Sequence, residues 1–388
     1  MSTFAPGDAR GPAFAAAVAG FTAQTGIKVK TVFAGATEIF NAYETAELAG
    51  QEPDVLIVNL YDKALTWTQS GATIPLTSEL TQWGLNKVIN PEAVKEWTDS
   101  QGRLQGLPYL GFSWPFWFNT ALLKSAGISS IPTTIDQLLA DTKLLRAKGI
   151  TPVAVGGDDS SGQKFVLQVM ETTMTPSEAQ TVLAKGGYCS NADAMKGLNL
   201  FVQLKNAGVF SADAEGLSTE DMYAQFTTDK AAIMPAGSWA FSLEPKSQLP
   251  DISLGGFPLP SGSPLSKPIA YEGFSAAGFW LTPNGQKRIK DYEAFVKYMY
   301  SPSVVSRFVS GDGDVPVINL PNSSTVLAKQ PLLLKALTTL PSTVTYGTFP
   351  DFSVPGQITA AMTTATTDAF AKSATAQSIC SSLDATYK

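Results

Sequence analysis

The feature that most constrains the fold is a continuous apolar run, Val55–Val58, that follows two helical stretches. Phe14, Val18 and Phe21 recur at helical spacing in the first of these, and a second helix is predicted over 38–48. An uninterrupted apolar run is typical of a strand that helices cover on both faces. This order predicts an α/β chain with an open parallel sheet, in which ligands bind at the carboxyl ends of the strands.

The length of the chain favours two domains, because 388 residues exceed what one ordinary core holds. The pattern of helix and strand repeats in the middle of the sequence, with a helix over 135–149 and a strand over 152–155. Two stretches rich in Pro and Gly, 107–115 and 255–264, are where we expect the chain to cross between domains. Surface loops are the alternative reading of both stretches.

The composition excludes several function classes. Histidine is absent, which excludes a Ser-His-Asp triad, a histidine general base and imidazole metal sites. The net charge is −6 and no run of Lys or Arg stands out, so no nucleic-acid partner is expected. We expect no cofactor and no metal. Cys189 and Cys380 form either a disulfide or two buried thiols.

The hydropathy of the chain and its first residues bear on the compartment in which we expect the protein. No apolar stretch reaches the length of a membrane span. Met1 leads directly into Ser2 and Thr3 without a secretory signal, so an exported protein would have lost its signal before this point.

Short motifs in a fixed order resemble the extracellular solute-binding proteins of carbohydrate ABC importers, the family that includes maltose-binding protein. The matching pieces span nearly the whole chain and include Thr25-Gly26-Ile27-Lys28-Val29, Pro53-Asp54-Val55, Ser70-Gly71-Ala72, Gly106-Leu107-Pro108-Tyr109, Phe118-Asn119, Gly149-Ile150-Thr151-Pro152, Gly237-Ser238-Trp239 and Phe257-Pro258-Leu259-Pro260. Two departures are a short first strand, over 2–6, and Thr359 near the place of a sugar-contacting aromatic of the maltose-binding relative.

The resemblance implies a two-lobed periplasmic-binding-protein fold of class II, with a ligand cleft between lobes joined by a hinge. One lobe would hold residues 1–110 and 260–310, and the other 111–259 and 311–388. The implied function is non-enzymatic binding of a sugar outside the cell, in the periplasm or on a lipid anchor, for delivery to membrane ABC permease subunits. We expect a monomer. Thr359 favours a mono- or short oligosaccharide, with a hexose such as galactose as the narrow guess.

A sugar site needs flat aromatic surfaces for the apolar faces of the ring and fixed polar groups for its hydroxyls. Trp239 follows a predicted strand and the small residues Gly237 and Ser238, and in the family motif this indole stacks on the ligand. A buried core tryptophan is the alternative. In the segment 107–117 an alternating strand would bury about half of the aromatic residues. The aromatic candidates there are Tyr109, Phe112 and Trp114.

The polar candidates come from loops that follow predicted strands or that the resemblance places near the cleft. They are Asp158, Asp159, Gln163, Tyr271, Glu272, Asp312, Asp314, Asp351, Glu38 and Asp62. Turn formation and helix capping are the alternatives for the aspartates, and a capping or surface role is favoured for Glu38 and Asp62.

Two other functions remain open at this level. A glycoside hydrolase needs only paired carboxylates, and Asp158 with Asp312 or Asp351 would supply them. A same-fold protein that binds a polyamine would use acidic groups with aromatic rings, which this chain also has.

Overall fold

The structure, a computed structural model, describes residues 1–6, 10–35, 38–60, 64–320 and 323–388, and for 312, 323 and 324 it describes the backbone alone. The helices are α1 (Gly11–Thr25), α2 (Glu38–Leu48), α3 (Ala64–Ser70), α4 (Thr77–Gln82), α5 (Pro91–Glu96), α6 (Thr120–Ser125), α7 (Ile135–Ala147), α8 (Ser160–Glu171), α9 (Pro176–Lys185), α10 (Ala192–Asn206), α11 (Thr219–Thr227), α12 (Pro283–Gln286), α13 (Ile289–Met299), α14 (Pro302–Asp312), α15 (Ser323–Leu327), α16 (Pro331–Thr338), α17 (Leu340–Thr343), α18 (Thr359–Thr367) and α19 (Ala376–Ala385). The strands are β1 (Val55–Val58), β2 (Leu107–Trp114), β3 (Phe116–Asn119), β4 (Thr151–Val153), β5 (Ala231–Pro235), β6 (Ile252–Gly255), β7 (Ile269–Leu281), β8 (Val315–Pro316) and β9 (Thr345–Tyr346). Among the described residues, no helix combines the length and the apolarity needed to cross a bilayer.

The chain divides into two compact units. The first holds Met1–Phe112 and Gly273–Leu333, and the second holds Ser113–Glu272 and Leu334–Lys388. Residues 260–272 therefore lie in the second unit and 311–333 in the first, which corrects the expected lobe boundaries. The passages after 272 and 333 fall inside β7 and α16, outside the two Pro- and Gly-rich stretches that were expected to mark the crossings.

The sheet of the first unit is not the parallel sheet that was predicted. β1 pairs antiparallel with β7, with Val55 opposite Leu281, and β8 pairs antiparallel with β2. Among the described residues, the segment 27–33 makes a single bridge, from Phe33 to Ser2.

The second unit is built around α8. Its sheet runs in the order β4-β5-β3-β6, with β4 and β5 parallel and the other pairs antiparallel. Residues 161–171 of α8 are all buried, since α10 and α18 pack against this helix. Phe165 lies at its centre, with ring centroids 5.6 Å from Phe210 and 6.5 Å from Phe370. A helix covered on every side gives its polar residues fixed positions.

A disulfide between Cys189 and Cys380 ties the loop after α9 to α19, which settles the alternative left open by the sequence. The carboxylate of Asp384 supports the same loop by accepting hydrogen bonds from the amides of Gly187, Tyr188 and Cys189, at 2.7, 2.7 and 3.1 Å. The carboxyl-terminal end of the second unit is therefore covalently and electrostatically fixed to its core.

Candidate functional site

An exposed tryptophan marks the end of β5 in the second unit. Trp239 is 39% exposed and lies in a short 3-10 helix, Ser238–Leu243, directly after Gly237. Its Nε1 donates a hydrogen bond to the Tyr223 hydroxyl at 3.2 Å. A Cβ atom on Gly237 would lie 2.3 Å from the indole carbons, so only glycine leaves room for the ring in this position. The indole is thus held at its edge while part of its surface stays open.

Trp114, at the end of β2, supports that indole. The two ring centroids are 5.2 Å apart and the planes meet at 88°, an edge-to-face contact that aromatic rings favour. Trp114 is 6% exposed, and its Nε1 has no hydrogen-bond partner among the described residues. On its other side lies Phe349, with ring centroids 6.0 Å apart.

An ion pair lies beside the Phe349 ring. Lys164 of α8 places its Nζ 2.6 Å from a carboxylate oxygen of Asp351 and 5.2 Å from the centre of the Phe349 ring. The Lys164 side chain is 6% exposed and that of Asp351 21%, so each charge is stabilised chiefly by its partner. Trp239, Trp114, Phe349, Lys164 and Asp351 form what we call the aromatic–ion-pair cluster.

A buried acid lies on the same helix as Lys164. Glu171, two turns after Lys164 on α8, accepts hydrogen bonds from the Tyr271 hydroxyl at 2.7 Å and from the Thr348 amide at 2.8 Å. Burial raises the pKa of Glu171 to about 8, although the two hydrogen bonds oppose the shift. Tyr271, predicted as a ligand residue, is fully buried and instead holds Glu171 in place.

Three predicted ligand residues belong to the buried part of the first unit, which corrects the expectation for them. Tyr109 is 0% exposed and packs against Phe279, with ring centroids 4.7 Å apart. Phe112 and Asp314 are also buried. Burial, and to a smaller extent the Asp314 carboxylate, raises the pKa of the Tyr109 hydroxyl. An alternating pattern could not show that this strand is buried on both of its faces.

Asp159 caps a helix, as one of the alternatives expected. Its carboxylate accepts hydrogen bonds from the amide of Ser161 at 2.8 Å and from the amide of Thr219 at 2.7 Å, joining the starts of α8 and α11. Gln163 is buried beside Lys164, whose Nζ donates to its side-chain oxygen at 3.3 Å. Asp159 and Gln163 therefore have structural places close in sequence to Lys164 of the aromatic–ion-pair cluster.

The small residues before Trp239 also have structural places. The Ser238 hydroxyl is buried and accepts a hydrogen bond from the Ser113 amide at 3.3 Å, which ties the end of β5 to β2. Gly237 is buried under the indole. We therefore assign both to the positioning of Trp239.

Asp158 and Glu272 are exposed on the second unit, and the Glu272 carboxylate is hydrogen-bonded to Tyr346. Glu38 is exposed at the start of α2 in the first unit. Asp312 ends α14 with an undescribed side chain, and Asp62 lies outside the described residues. No group of three or more Cys, Asp or Glu residues that could hold a metal ion occurs in the described part of the chain.

The model of the bacterial extracellular solute-binding proteins matches residues 5–305, which is more than half of the chain. The chain belongs to this family. A solved structure of a probable secreted solute-binding lipoprotein from Streptomyces coelicolor is 37% identical, covers 100% of this chain and 97% of its own, and superposes with a TM-score of 0.90. The predicted α/β fold of two units is thereby confirmed.

Two less similar proteins extend the comparison. The multiple sugar-binding protein of Streptococcus mutans is 25% identical over 283 residues, which are 70% of this chain and 64% of the length of that relative. A solved chitin oligosaccharide binding protein has the same fold, with 23% identity, a TM-score of 0.81 and coverage of 96% and 93% of the two chains.

Sequence reasoning missed several residues of this solute-binding protein's candidate site. Phe349 lies two residues before the predicted Asp351. The sequence Phe-Pro-Asp-Phe at 349–352 was the available indication that an aromatic residue accompanies this acid. Lys164 and Glu171 stand seven residues apart in a stretch that is apolar except for Gln168, and this spacing places both on one face of a helix. Charged residues at such positions of a helix indicate that they have buried partners, but the sequence does not reveal which residues those partners are.

Proposed function

We propose that this protein binds a short carbohydrate outside the cytoplasm, without catalysis, and delivers it to the permease subunits of an ABC importer. Membership of the extracellular solute-binding family supports the class of function. The sugar-binding names of the Streptococcus mutans relative and of a 31% identical Rhizobium meliloti protein, which aligns over 124 residues, support the ligand class.

The observation that carries the proposal is the partly open indole of Trp239, fixed by Trp114 and Tyr223. A pyranose ring presents apolar C–H groups on its faces and hydroxyls around its edge. An indole that is held in place before the ligand arrives loses little side-chain entropy on binding, which favours affinity. Trp239 is therefore our candidate stacking surface, with Trp114 beside it.

Polar groups of the second unit would bind the hydroxyls. Asp351 is the first candidate, because its side chain keeps 21% exposure while Lys164 fixes its orientation. Asp158 and Glu272 are exposed acceptors on the same unit. We propose these three, together with Trp239 and Trp114, as ligand contacts, and assign the buried Gln163 to their support.

The disulfide supports the proposed compartment. Disulfides persist in oxidising surroundings and are rare in the cytosol of most organisms, so the bond between Cys189 and Cys380 favours a location outside the cytoplasm. The secreted lipoprotein among the relatives agrees with this proposal. Whether the protein is a monomer, as predicted, is tested by light scattering.

The test is a thermal-shift panel of monosaccharides, disaccharides and short oligosaccharides, galactose among them, followed by calorimetry on each hit. A ligand at 100 times its Kd should add about 2.7 kcal/mol of stability. A panel in which no sugar shifts the melting temperature, while polyamines do, would contradict the proposal. Release of sugar product at catalytic amounts of protein would instead support the glycoside hydrolase.

A further inference from the structure

The segment 345–352 carries two members of the aromatic–ion-pair cluster. It begins with β9, which pairs in parallel with β7. The Gly347 amide donates to Ala270 O at 2.9 Å, which continues this pairing. The segment then supplies Phe349 and Asp351 to the cluster. The position of these two side chains therefore depends on how the backbone is held after Gly347.

A side chain of α8 holds the backbone at that place. The Thr348 amide donates to Glu171 Oε2 at 2.8 Å, and Glu171 Oε1 accepts from the Tyr271 hydroxyl at 2.7 Å. Glu171 is 2% exposed, so solvent has little access to either hydrogen bond. Tyr271 in turn contacts the Phe349 ring edge to face, with centroids 5.3 Å apart. Glu171 thus holds the backbone before Phe349 and also the ring that packs against it.

The close approach of the segment to Glu171 requires a glycine. A Cβ atom on Gly347 would lie 2.8 Å from Glu171 Oε2 and 2.6 Å from Ile269 Cδ1. Both of these side chains are buried, so neither can give way at low cost. The absence of a side chain at Gly347 therefore allows the next amide to reach the carboxyl group.

The same helix holds the segment at a second place, through the ion pair of Lys164 with Asp351. Lys164 and Glu171 are separated by two turns of α8, which is about 10 Å along a helix axis. Residues 161–171 of this helix are all buried, and α10 and α18 pack against it. Two attachments to one enclosed helix fix both the place and the direction of the segment.

We propose that Glu171 is a positioning residue of the candidate sugar site. By holding the Thr348 backbone it fixes Phe349 and Asp351 before the ligand arrives, so little ordering of the segment opposes binding. Glu171 itself does not contact the ligand, because it is buried and each of its oxygens accepts from a protein donor. This inference rests on the proposed function, in which Asp351 contacts the sugar.

The experiment compares Glu171→Met with Glu171→Gln in the full chain. Methionine keeps the length of the side chain but is only a weak acceptor, whereas glutamine offers an oxygen to the Thr348 amide and an NH₂ group to the Tyr271 hydroxyl. Without sugar, Glu171→Met should speed amide hydrogen exchange in 345–352 about tenfold, and Glu171→Gln should change it by less than about twofold. Thr348→Ala is the matched control, because it keeps the amide, and should leave exchange unchanged.

The second measurement is calorimetry with a sugar that raises the melting temperature in the panel. Glu171→Met should weaken binding about tenfold, since the sugar must then order the segment, and Glu171→Gln should bind normally. The double variant Glu171→Met with Asp351→Asn should bind within about twofold of the weaker single variant, because both changes act on one contact, whereas independent losses would multiply. Gly347→Ala displaces the segment and leaves the carboxyl group in place, so it should reproduce the losses of Glu171→Met and replaces that variant if it does not fold.

Equal exchange in Glu171→Met and Glu171→Gln would overturn the proposal. Faster exchange in Glu171→Met with an unchanged sugar affinity would also overturn it, because Glu171 would then have a structural role alone. Losses of affinity that multiply in the double variant would show that Glu171 acts elsewhere. A panel in which no sugar binds the unsubstituted protein would refute the proposed function and this inference with it, whatever the exchange of the segment, which is measured without sugar.

Discussion

The aromatic cluster around Tyr109 and the aromatic–ion-pair cluster draw on the same strand, β2, yet differ in solvent access. Tyr109 is completely buried against Phe279 and Phe308 in the first unit. Five residues later, Trp114 supports an indole that is 39% exposed. The difference teaches that aromatic residues close in sequence can lie in a closed core or support an open ring, and that a hydrogen bond at the ring edge accompanies the open one.

The largest expected effect concerns the covalent anchor that only the second unit has. Replacing both cysteines, Cys189→Ser with Cys380→Ser, should lower the stability of the second unit by about 3–5 kcal/mol, because the bond closes a long loop across 191 residues. Urea unfolding followed by hydrogen exchange in each unit measures this. Ser381→Ala, next to the disulfide, is the matched control and should change little. An equal loss of stability in both units would contradict the prediction that the disulfide stabilises the second unit alone.

The next effect falls on the first unit. Tyr109→Ala should destabilise it by about 3–5 kcal/mol by leaving a cavity among Phe279, Tyr300 and Phe308. Tyr109→Phe keeps the ring and removes a hydroxyl that has no partner among the described residues, so it should be nearly neutral. Calorimetry of sugar binding at low temperature should give unchanged affinity for both variants. Weaker binding by Tyr109→Phe would return Tyr109 to the list of ligand residues.

A pH dependence should follow from Glu171. The usual pKa of its carboxyl is 4.5 and burial raises the folded value to about 8, so the folded state holds a proton that the unfolded state has lost. Stability should therefore fall as the pH rises from about 5 to about 8. Glu171→Gln should reduce this fall by about 2–4 kcal/mol, as unfolding at several pH values would show.

Glu244 provides the control for that measurement. Burial, with the nearby Asp229, raises its pKa to about 7, so it contributes its own fall in the same direction. Glu244→Gln should leave the Glu171 contribution intact. If the slope of stability with pH is the same in Glu171→Gln and in the unsubstituted protein, Glu171 is ionised in the folded state and the assignment fails.

The smallest free-energy change concerns the exposed ring. Trp239→Ala should weaken binding of the sugar identified in the panel about 10- to 30-fold, or about 1.5–2 kcal/mol, with little change in melting temperature. Leu243→Ala, on the same short helix and 53% exposed, should bind normally. Calorimetry decides between them. Unchanged affinity in Trp239→Ala would remove the stacking surface from the proposal.

Much of the local structure was predictable because neighbours in sequence determine it. The spacing of Phe14 and Phe21 indicated α1, and the run Val55–Val58 indicated β1. Motif order supplied the family, and with it the fold of two units. Trp239 was identifiable as a candidate because two small residues follow a strand before it.

Which elements pair with each other depends on contacts between residues that are distant in sequence, and the sequence did not predict these contacts. The antiparallel pairing of β1 with β7 joins residues more than 200 positions apart, and the disulfide joins residues 191 positions apart. The pattern around Tyr109 was compatible with a binding surface, and only the rings of Phe279 and Phe308 decided its burial.

By itself, the sequence determined which segments are helices or strands, the family, and the absence of histidine chemistry, because these depend on residue types and short-range spacing. The tertiary structure alone decided which aromatic rings are enclosed and which acids are paired. Burial and pairing are properties of the surroundings in space, and those surroundings are assembled from segments that the chain brings together only when it folds.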